Sequence, residues 1–475
     1  MHIMEDTPKE HTNDLKMHWL KRSIMIMLII YLLYACTSTL FMIALRKPKD
    51  AELTTESYKV HMDRAALIES GSGGAQVRLD LIEAAQTSID FTYYTISNGQ
   101  FTDVLFSCLL AAADRGVQVR ILQEGLTSFA YERGKLKKTL RSFATHPNIE
   151  VRYYEKISLL RPWAWDARLH EKMILVDGEL ALIGGRNIGN KYLLKEEYKS
   201  RYVHDRDALI CRQRSQDSVI DEMITYFDQL WQYKHTKPRK KVITDKQIEQ
   251  ENPTLETIRS YNKQVKSDHP HLFQEQDWKG RTYPTQGIRF VHNSVGSENR
   301  EPWCLRALLL EASKAQTSIF LQSPYIIPSK AMRKVIAEYD IDWLKVTVMT
   351  NSKQASPNVI AMAAYYNHRK NIVDRVGSLY EYQGPPSIHS KSYVFDDTTS
   401  IVGTFNLDSR SSYINTESMV IITSMQFAST LNDAIQTTMD NSARVHKDYT
   451  YGGEAEDRSP AWLFSKFVRL FEYYL

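Results

Sequence analysis

The sequence predicts an α/β fold: two pseudo-symmetric domains, each a mixed sheet flanked by helices, after an N-terminal transmembrane helix. Three observations lead there. Residues 82–96 (IEAAQTSIDFTYYTI) and 310–327 (LEASKAQTSIFLQSPYII) share Ala-Gln-Thr-Ser-Ile, at Ala85–Ile89 and Ala315–Ile319. In each copy a Leu/Ile-Glu-Ala helix signature precedes the shared run, and an apolar stretch holding a tyrosine follows it. Each copy then reaches a further β-rich run, Val117–Leu122 or Leu344–Met349, and strands alternating with helices indicate layered sheet and helix. Finally, Ser23–Leu45 contains no charged residue and as a helix would extend about 35 Å, enough to cross a bilayer.

The resulting division is an N-terminal tail (1–22), an anchor (23–45), a linker (46–61), a first domain (62–233), a charged insertion (234–287), a second domain (288–445) and a C-terminal tail (446–475). Lys21 and Arg22 precede the apolar run and Arg46, Lys47 and Lys49 follow it, so flanking charge leaves its orientation open. A cleaved signal is disfavoured by the length of the run. Lipoprotein processing competes, because Leu33-Tyr-Ala-Cys36 resembles a lipid-attachment box with a tyrosine where a small residue is usual. The expectation is a single-pass protein of the cell membrane.

The chain has 475 residues, 43% hydrophobic, enough for a large core. A net charge of +4, from 60 basic and 56 acidic residues, gives no ground for a nucleic-acid partner. The cysteines Cys36, Cys108, Cys211 and Cys304 are scattered, which argues against a disulfide framework or a Cys-based zinc site. Within the insertion, Lys237-Pro-Arg-Lys-Lys241 could touch anionic headgroups, although a solvated charged face is the commoner use. A helix is expected around Pro253–Lys266. In the tail, Trp462, Leu463, Phe467, Leu470, Phe471 and Tyr474 recur at helical spacing among Lys466, Arg469 and Glu472, suiting either a membrane interface or the protein's own core.

The chemistry is carried by a second repeat. His170-Glu-Lys172-x4-Asp177 precedes Gly184-Gly-Arg-Asn187, and His389-Ser-Lys391-x4-Asp396 precedes Gly403-Thr-Phe-Asn406; Asn follows His by 17 residues in both. One such match has a chance expectation on the order of one in ten thousand per chain. Two, in corresponding places of an internal repeat, are not coincidence. In a strand, residues two apart share a face, so His and Lys point together. Asp177 and Asp396 fall at odd offsets, with Asp177-Gly178 a hairpin dipeptide, and are expected to support the turn rather than make bonds. The glycines are expected to let backbone approach a phosphate, with Asn187 and Asn406 hydrogen-bonding it. A lysine can hold a phosphate oxygen and stabilise growing charge. A histidine can attack phosphorus or protonate a leaving alkoxide, and two halves supply one for each task. No metal or cofactor is expected, since lysine is not a ligand and no acidic cluster accompanies the motifs.

These paired motifs resemble the phospholipase D superfamily. Gly184-Gly-Arg-Asn-Ile-Gly189, Gly403-Thr-Phe-Asn-Leu-Asp-Ser-Arg410 and Asn415-Thr-Glu417 are similar to bacterial cardiolipin synthases and their phospholipase-D-like relatives. The resemblance implies two phospholipase-D-type domains and a double displacement through a phosphohistidine. His170 and His389 would be nucleophile and general acid/base, with His170 favoured as nucleophile. Lys172, Lys391, Asn187 and Asn406 would hold the phosphate. A downstream carboxylate would orient each histidine: Glu417 for His389, and Asp207, with Asp205 as rival, for His170. The implied substrate is a phospholipid, phosphatidylglycerol foremost, in a bilayer, giving cardiolipin. A hydrolase releasing phosphatidic acid is the alternative, and a nuclease a more distant one. Leu159–Trp165, apolar and aromatic just before His170, is either a lid or acyl-chain contact or ordinary packing. Arg186 and Arg410 would grip a second headgroup or form ion pairs.

Overall fold

The computed structural model describes residues 8–45, 58–195, 202–213, 217–240, 242–274, 276–296, 301–446 and 468–469. The chain divides into two compact units: residues 1–48 with 157–165, and the remainder.

In the smaller unit a helix spans Pro8–Leu45, and within it Lys16–Thr39 is long and apolar enough to cross a membrane. The described residues of this stretch are almost all exposed.

The larger unit holds both halves of the repeat. Among the described residues, the first half forms a nine-stranded sheet in the order Tyr283–Pro284, Arg64–Ile68, Asp207–Cys211, Leu180–Gly184, Lys172–Val176, Ser88–Tyr93, Gln118–Glu124, Ile149–Tyr154, Lys237–Pro238. The second half forms an eight-stranded sheet in the order Gly287–His292, Ser418–Thr423, Thr399–Gly403, Ser392–Phe395, Ile319–Gln322, Val346–Asn351, Ser378–Tyr382, Ser442–Val445. From Arg64–Ile68 and Gly287–His292 onward the two sheets correspond strand for strand, with the same mixture of parallel and antiparallel pairings.

Both faces of each central strand are buried, which is why the motif strands read as continuous apolar runs. In Lys172–Val176, Ile174 and Val176 pack into the first lobe's own core, while Met173 and Leu175 face a core shared with the second lobe. Val394, Val402, Val420 and Ile422 meet them there from the other sheet. The lobes are therefore joined sheet to sheet through side chains of alternate parity.

Residues 234–287, expected as an inter-domain insertion, are built into the first lobe. Lys237–Pro238 and Tyr283–Pro284 close the two edges of its sheet. Helix Asp245–Asp268 places Leu255, Ile258 and Val265 in its core, and Asn262 donates to Ser107 Oγ at 3.0 Å. Within the basic cluster, Arg239 bonds Glu132 and the Tyr153 hydroxyl, a structural task. The aromatic C-terminal helix lies outside the described residues apart from Val468, which is buried in the second lobe's core, and Arg469.

Candidate active site

Each motif is fixed at its aspartate end by the other repeat in the sequence. Asp177, at φ +54° with Gly178 at +69°, turns the predicted hairpin. Its carboxylate accepts the backbone N–H groups of Gln86, Thr87 and Ser88 at 2.8 Å each, and the Thr87 hydroxyl. Asp396 does the same for Gln316, Thr317 and Ser318. The repeated Ala-Gln-Thr-Ser-Ile is therefore the amide cradle of the motif aspartate, and its N–H bonds hold Asp177 and Asp396 below the usual carboxylate range although burial opposes them. Both aspartates support the turn.

At the other end the lobes exchange partners. Leu169 bridges Thr416 in parallel, and the strand Ser387–Ile388 pairs in parallel with Val203–His204. The His170 N–H donates to the Thr416 carbonyl at 3.2 Å, and the His389 N–H to that of His204 at 2.7 Å. These pairings bring His170 beside Glu417 and His389 beside Asp205. His170 Nδ1 bonds Glu417 Oε2 at 2.8 Å, and His389 Nδ1 bonds Asp205 Oδ2 at 2.6 Å. Glu417 is thus the partner of His170, not of His389.

Asp207 meets neither ring. It receives Arg186 Nη1 at 2.6 Å and Arg78 Nη1 at 3.0 Å, all deeply buried. The register explains the two-residue error: Gly184 pairs with Asp207 and Gly403 with Met419, so Asp205, not Asp207, corresponds to Glu417. Arg186 is committed to this ion pair, and Arg410 donates to the Asp166 carbonyl at 3.5 Å. The glycines also serve a different purpose from the one expected. A Cβ on Gly185 would overlap the Asp205 carboxylate, and one on Gly403 the Ser418 carbonyl. They admit the carboxylate-bearing strand.

Between the rings lies unbalanced positive charge. Lys172 Nζ bonds the His170 carbonyl at 2.5 Å, and Lys391 Nζ bonds the His389 carbonyl and lies 3.0 Å from its Nδ1. Burial and the charge of Lys391 lower Lys172 to about 7; burial lowers Lys391 to about 8 against the pull of Asp205 and Glu417. Burial, then both lysines, holds His170 well below its ordinary value, and burial with Lys391 lowers His389 to about 4. The carboxylates diverge. Burial opposes it, but His389, Lys391 and Arg186 hold Asp205 well below the normal range. Burial lifts Glu417 well above it, with Lys172 and the Thr404 hydroxyl only partly offsetting. Asn187 Oδ1 accepts the Thr95 N–H at 3.2 Å; Asn406 Nδ2 reaches Ser411 Oγ at 3.3 Å, leaving a buried, unbonded Oδ1. Such a site suits an anion with two ionisable neighbours.

The family comparison agrees with this geometry. Residues 79–231 and 308–439 match the family described as "Cardiolipin synthase, PLD-like domain". The chain belongs to that family. Among known proteins the chain is similar to cardiolipin synthase C of Escherichia coli K12, 26% identical over 420 residues, covering 80% of this chain and 86% of that one. A cardiolipin synthase of Staphylococcus aureus is 26% identical over 378 residues (78% and 66%). An uncharacterised Helicobacter pylori protein is 28% identical over 402 residues, 77% of each chain. The crystal structure of phosphatidylserine synthase from Haemophilus influenzae shares the fold at TM-score 0.62 and 14% identity, over 87% of this chain and 97% of that one.

Several residues around this family's motifs escaped the sequence reading. Tyr94 stands edge-on to His170 at 4.9 Å between centroids, with Lys172 Nζ 5.3 Å from its ring; its repeat counterpart is Pro324. Arg206 joins Glu69 to Gln322 and Ser392 of the other lobe, while Glu171 joins Tyr226 to Ser418. The only sequence signal for these was proximity to the motifs.

Proposed function

We propose that the chain is a phosphatidyltransferase that makes cardiolipin from phosphatidylglycerol, anchored by its N-terminal helix. The single observation carrying this reading is the exchange of carboxylates, which ties each lobe's motif histidine and lysine to the other lobe. An acceptor oxygen on Nδ1 keeps a proton there and turns Nε2 to the chemistry.

His170, held neutral by burial and the two lysines, attacks phosphorus through Nε2. A nitrogen–phosphorus bond forms as the bond to the leaving glycerol oxygen breaks, and His389, entering the step as an imidazolium with Asp205 on its Nδ1–H, gives that oxygen its Nε2 proton. The hydroxyl of a second phosphatidylglycerol then passes its proton to His389 and attacks phosphorus, releasing His170. Lys172, Lys391, Asn187 and Asn406 hold the phosphoryl oxygens throughout. The cardiolipin synthases among its relatives support lipid as the substrate class.

The test is expression in a cardiolipin-free host followed by lipid analysis, with His170→Ala and His389→Ala as controls. Cardiolipin is expected only with the intact protein. Phosphatidic acid without cardiolipin would mean that water is the acceptor, and an unchanged lipid profile would overturn the reading.

A further inference from the structure

Ile157–Trp165 belongs to the same compact unit as the apolar helix. The Tyr34 hydroxyl donates to the Leu160 carbonyl at 2.7 Å, and the Tyr31 hydroxyl to the Leu159 carbonyl at 3.2 Å. The Tyr31 and Trp165 rings lie 6.3 Å apart. Three of the segment's own backbone N–H groups turn inward, Arg161 to Ser158, Ala164 to Arg161 and Trp165 to Pro162, with the Trp165 indole N–H reaching Ser158 at 2.8 Å. Outward go apolar side chains: Leu160 is 78% exposed, Leu159 63% and Ile157 46%. Carbonyls met by the tyrosines of an apolar helix, a turn bonded to itself and leucines presented outward invert the pattern of a loop in water. Backbone in hydrocarbon needs this arrangement.

Depth follows from the helix. Tyr31 and Tyr34 lie near the middle of the charge-free run Ser23–Leu45, roughly 17–21 Å from its C-terminal end at 1.5 Å per residue. That is beneath the headgroups of a bilayer whose hydrocarbon is about 30 Å thick.

We propose that Ile157–Trp165 is a second membrane-inserted element, its Leu159 and Leu160 seated among the acyl chains. The inference rests on the anchor reading above. Five residues of chain connect Trp165 to His170, so covalent reach alone keeps the histidine within about 17 Å of the inserted segment.

The test uses the full chain with Cys36→Ser and a single environment-sensitive fluorophore at Leu160→Cys. It is reconstituted in phosphatidylglycerol–phosphatidylethanolamine vesicles carrying acyl-chain spin labels. Leu28→Cys, in the span, and Lys246→Cys, exposed on helix Asp245–Asp268, are the references. Quenching at 160 is expected to match that at 28, with none at 246. Quenching at 28 but not at 160 overturns the inference and leaves the anchor standing; quenching at neither removes both. Leu160→Asp is expected to cut turnover of vesicle phosphatidylglycerol about tenfold, a charge in hydrocarbon being costly. Turnover of a short-chain, monomeric phosphatidylglycerol should stay unchanged, and equal losses on both substrates would also overturn the inference.

Discussion

The two halves of the site share a backbone plan and differ in their charge. His170 sits against Glu417, a carboxyl raised by burial with Glu171 adding to the effect. His389 sits against Asp205, held ionised by His389 itself, Lys391 and Arg186. Tyr94 walls the first half where Pro324 stands in the second. The difference teaches that strand pairing sets which groups meet, while the buried charges nearby decide what each can do. The neutral side is suited to attack, and the side with a fixed anion is suited to carry a proton.

The largest test of that division is removal of each ring. His170→Ala is expected to lower kcat/KM by about 10⁴ or more. His389→Ala should cost about 10²–10⁴ as a lost acid/base. With a diester bearing an activated leaving group, the His389→Ala enzyme should also accumulate a covalent adduct at residue 170 by mass spectrometry. An adduct at residue 389 of the His170→Ala enzyme would reverse the roles.

The carboxylates come next. Asp205→Asn should lower kcat by about 10²–10⁴, through loss of the tautomer-fixing acceptor. Because it deletes a fixed anion beside His389 and Lys391, both limbs of the pH–rate profile should move to lower pH. Glu417→Gln should move them less, since Glu417 is already driven toward its neutral form. Equal displacements would erase the asymmetry.

The lysines give a smaller effect with a defined sign. Their charged forms grip an anion, and these are lost as pH rises through about 7 for Lys172 and about 8 for Lys391. Affinity for inorganic phosphate, measured by calorimetry, should be flat below that window and fall above it, by up to about tenfold per pH unit for each lysine. Lys172→Met should remove the earlier step and leave the later one. Stability runs the other way. With the folded pKa lowered from 10.5, the unfolded chain binds more protons over that range, so the empty protein gains stability as pH rises from about 7.

The smallest effect lies farthest from the chemistry. Asp177→Ala should cost about 1–2 kcal/mol in thermal or denaturant unfolding, as loss of a capping carboxylate does. Its carboxyl is lowered from 3.8, so its contribution is present above that value and fades as pH falls through the folded pKa. The wild-type advantage over the Ala variant should therefore shrink in acid.

Much of this was legible in the sequence. The doubled α/β plan, the hairpin at Asp177-Gly178 and the paired His and Lys all follow from period, turn chemistry and repeated spacing. The repeated Ala-Gln-Thr-Ser-Ile was visible, but its task was not, because an amide cradle for a residue some 90 positions away leaves no local trace. Asp205 and Asp207 have the same strand parity, so alternation cannot separate them; only the register against Gly184 does. That each carboxylate serves the other lobe's histidine depends on the pairings Leu169–Thr416 and Ile388–His204, between segments nearly 250 and 190 residues apart. Charge was equally misleading in residues 234–287, where a polar surface hides the three apolar positions, Leu255, Ile258 and Val265, that seat the helix.

The crossed hydrogen bonds have a consequence for modularity. A lobe taken alone would own a histidine, a lysine and a carboxylate, yet the carboxylate would face away into a partner's ring. Two identical lobes related by a twofold axis could close the circuit, each lending what the other lacks. Fusing them in one polypeptide removes the demand for identity, and it is this freedom that lets a glutamate stand on one side and an aspartate on the other.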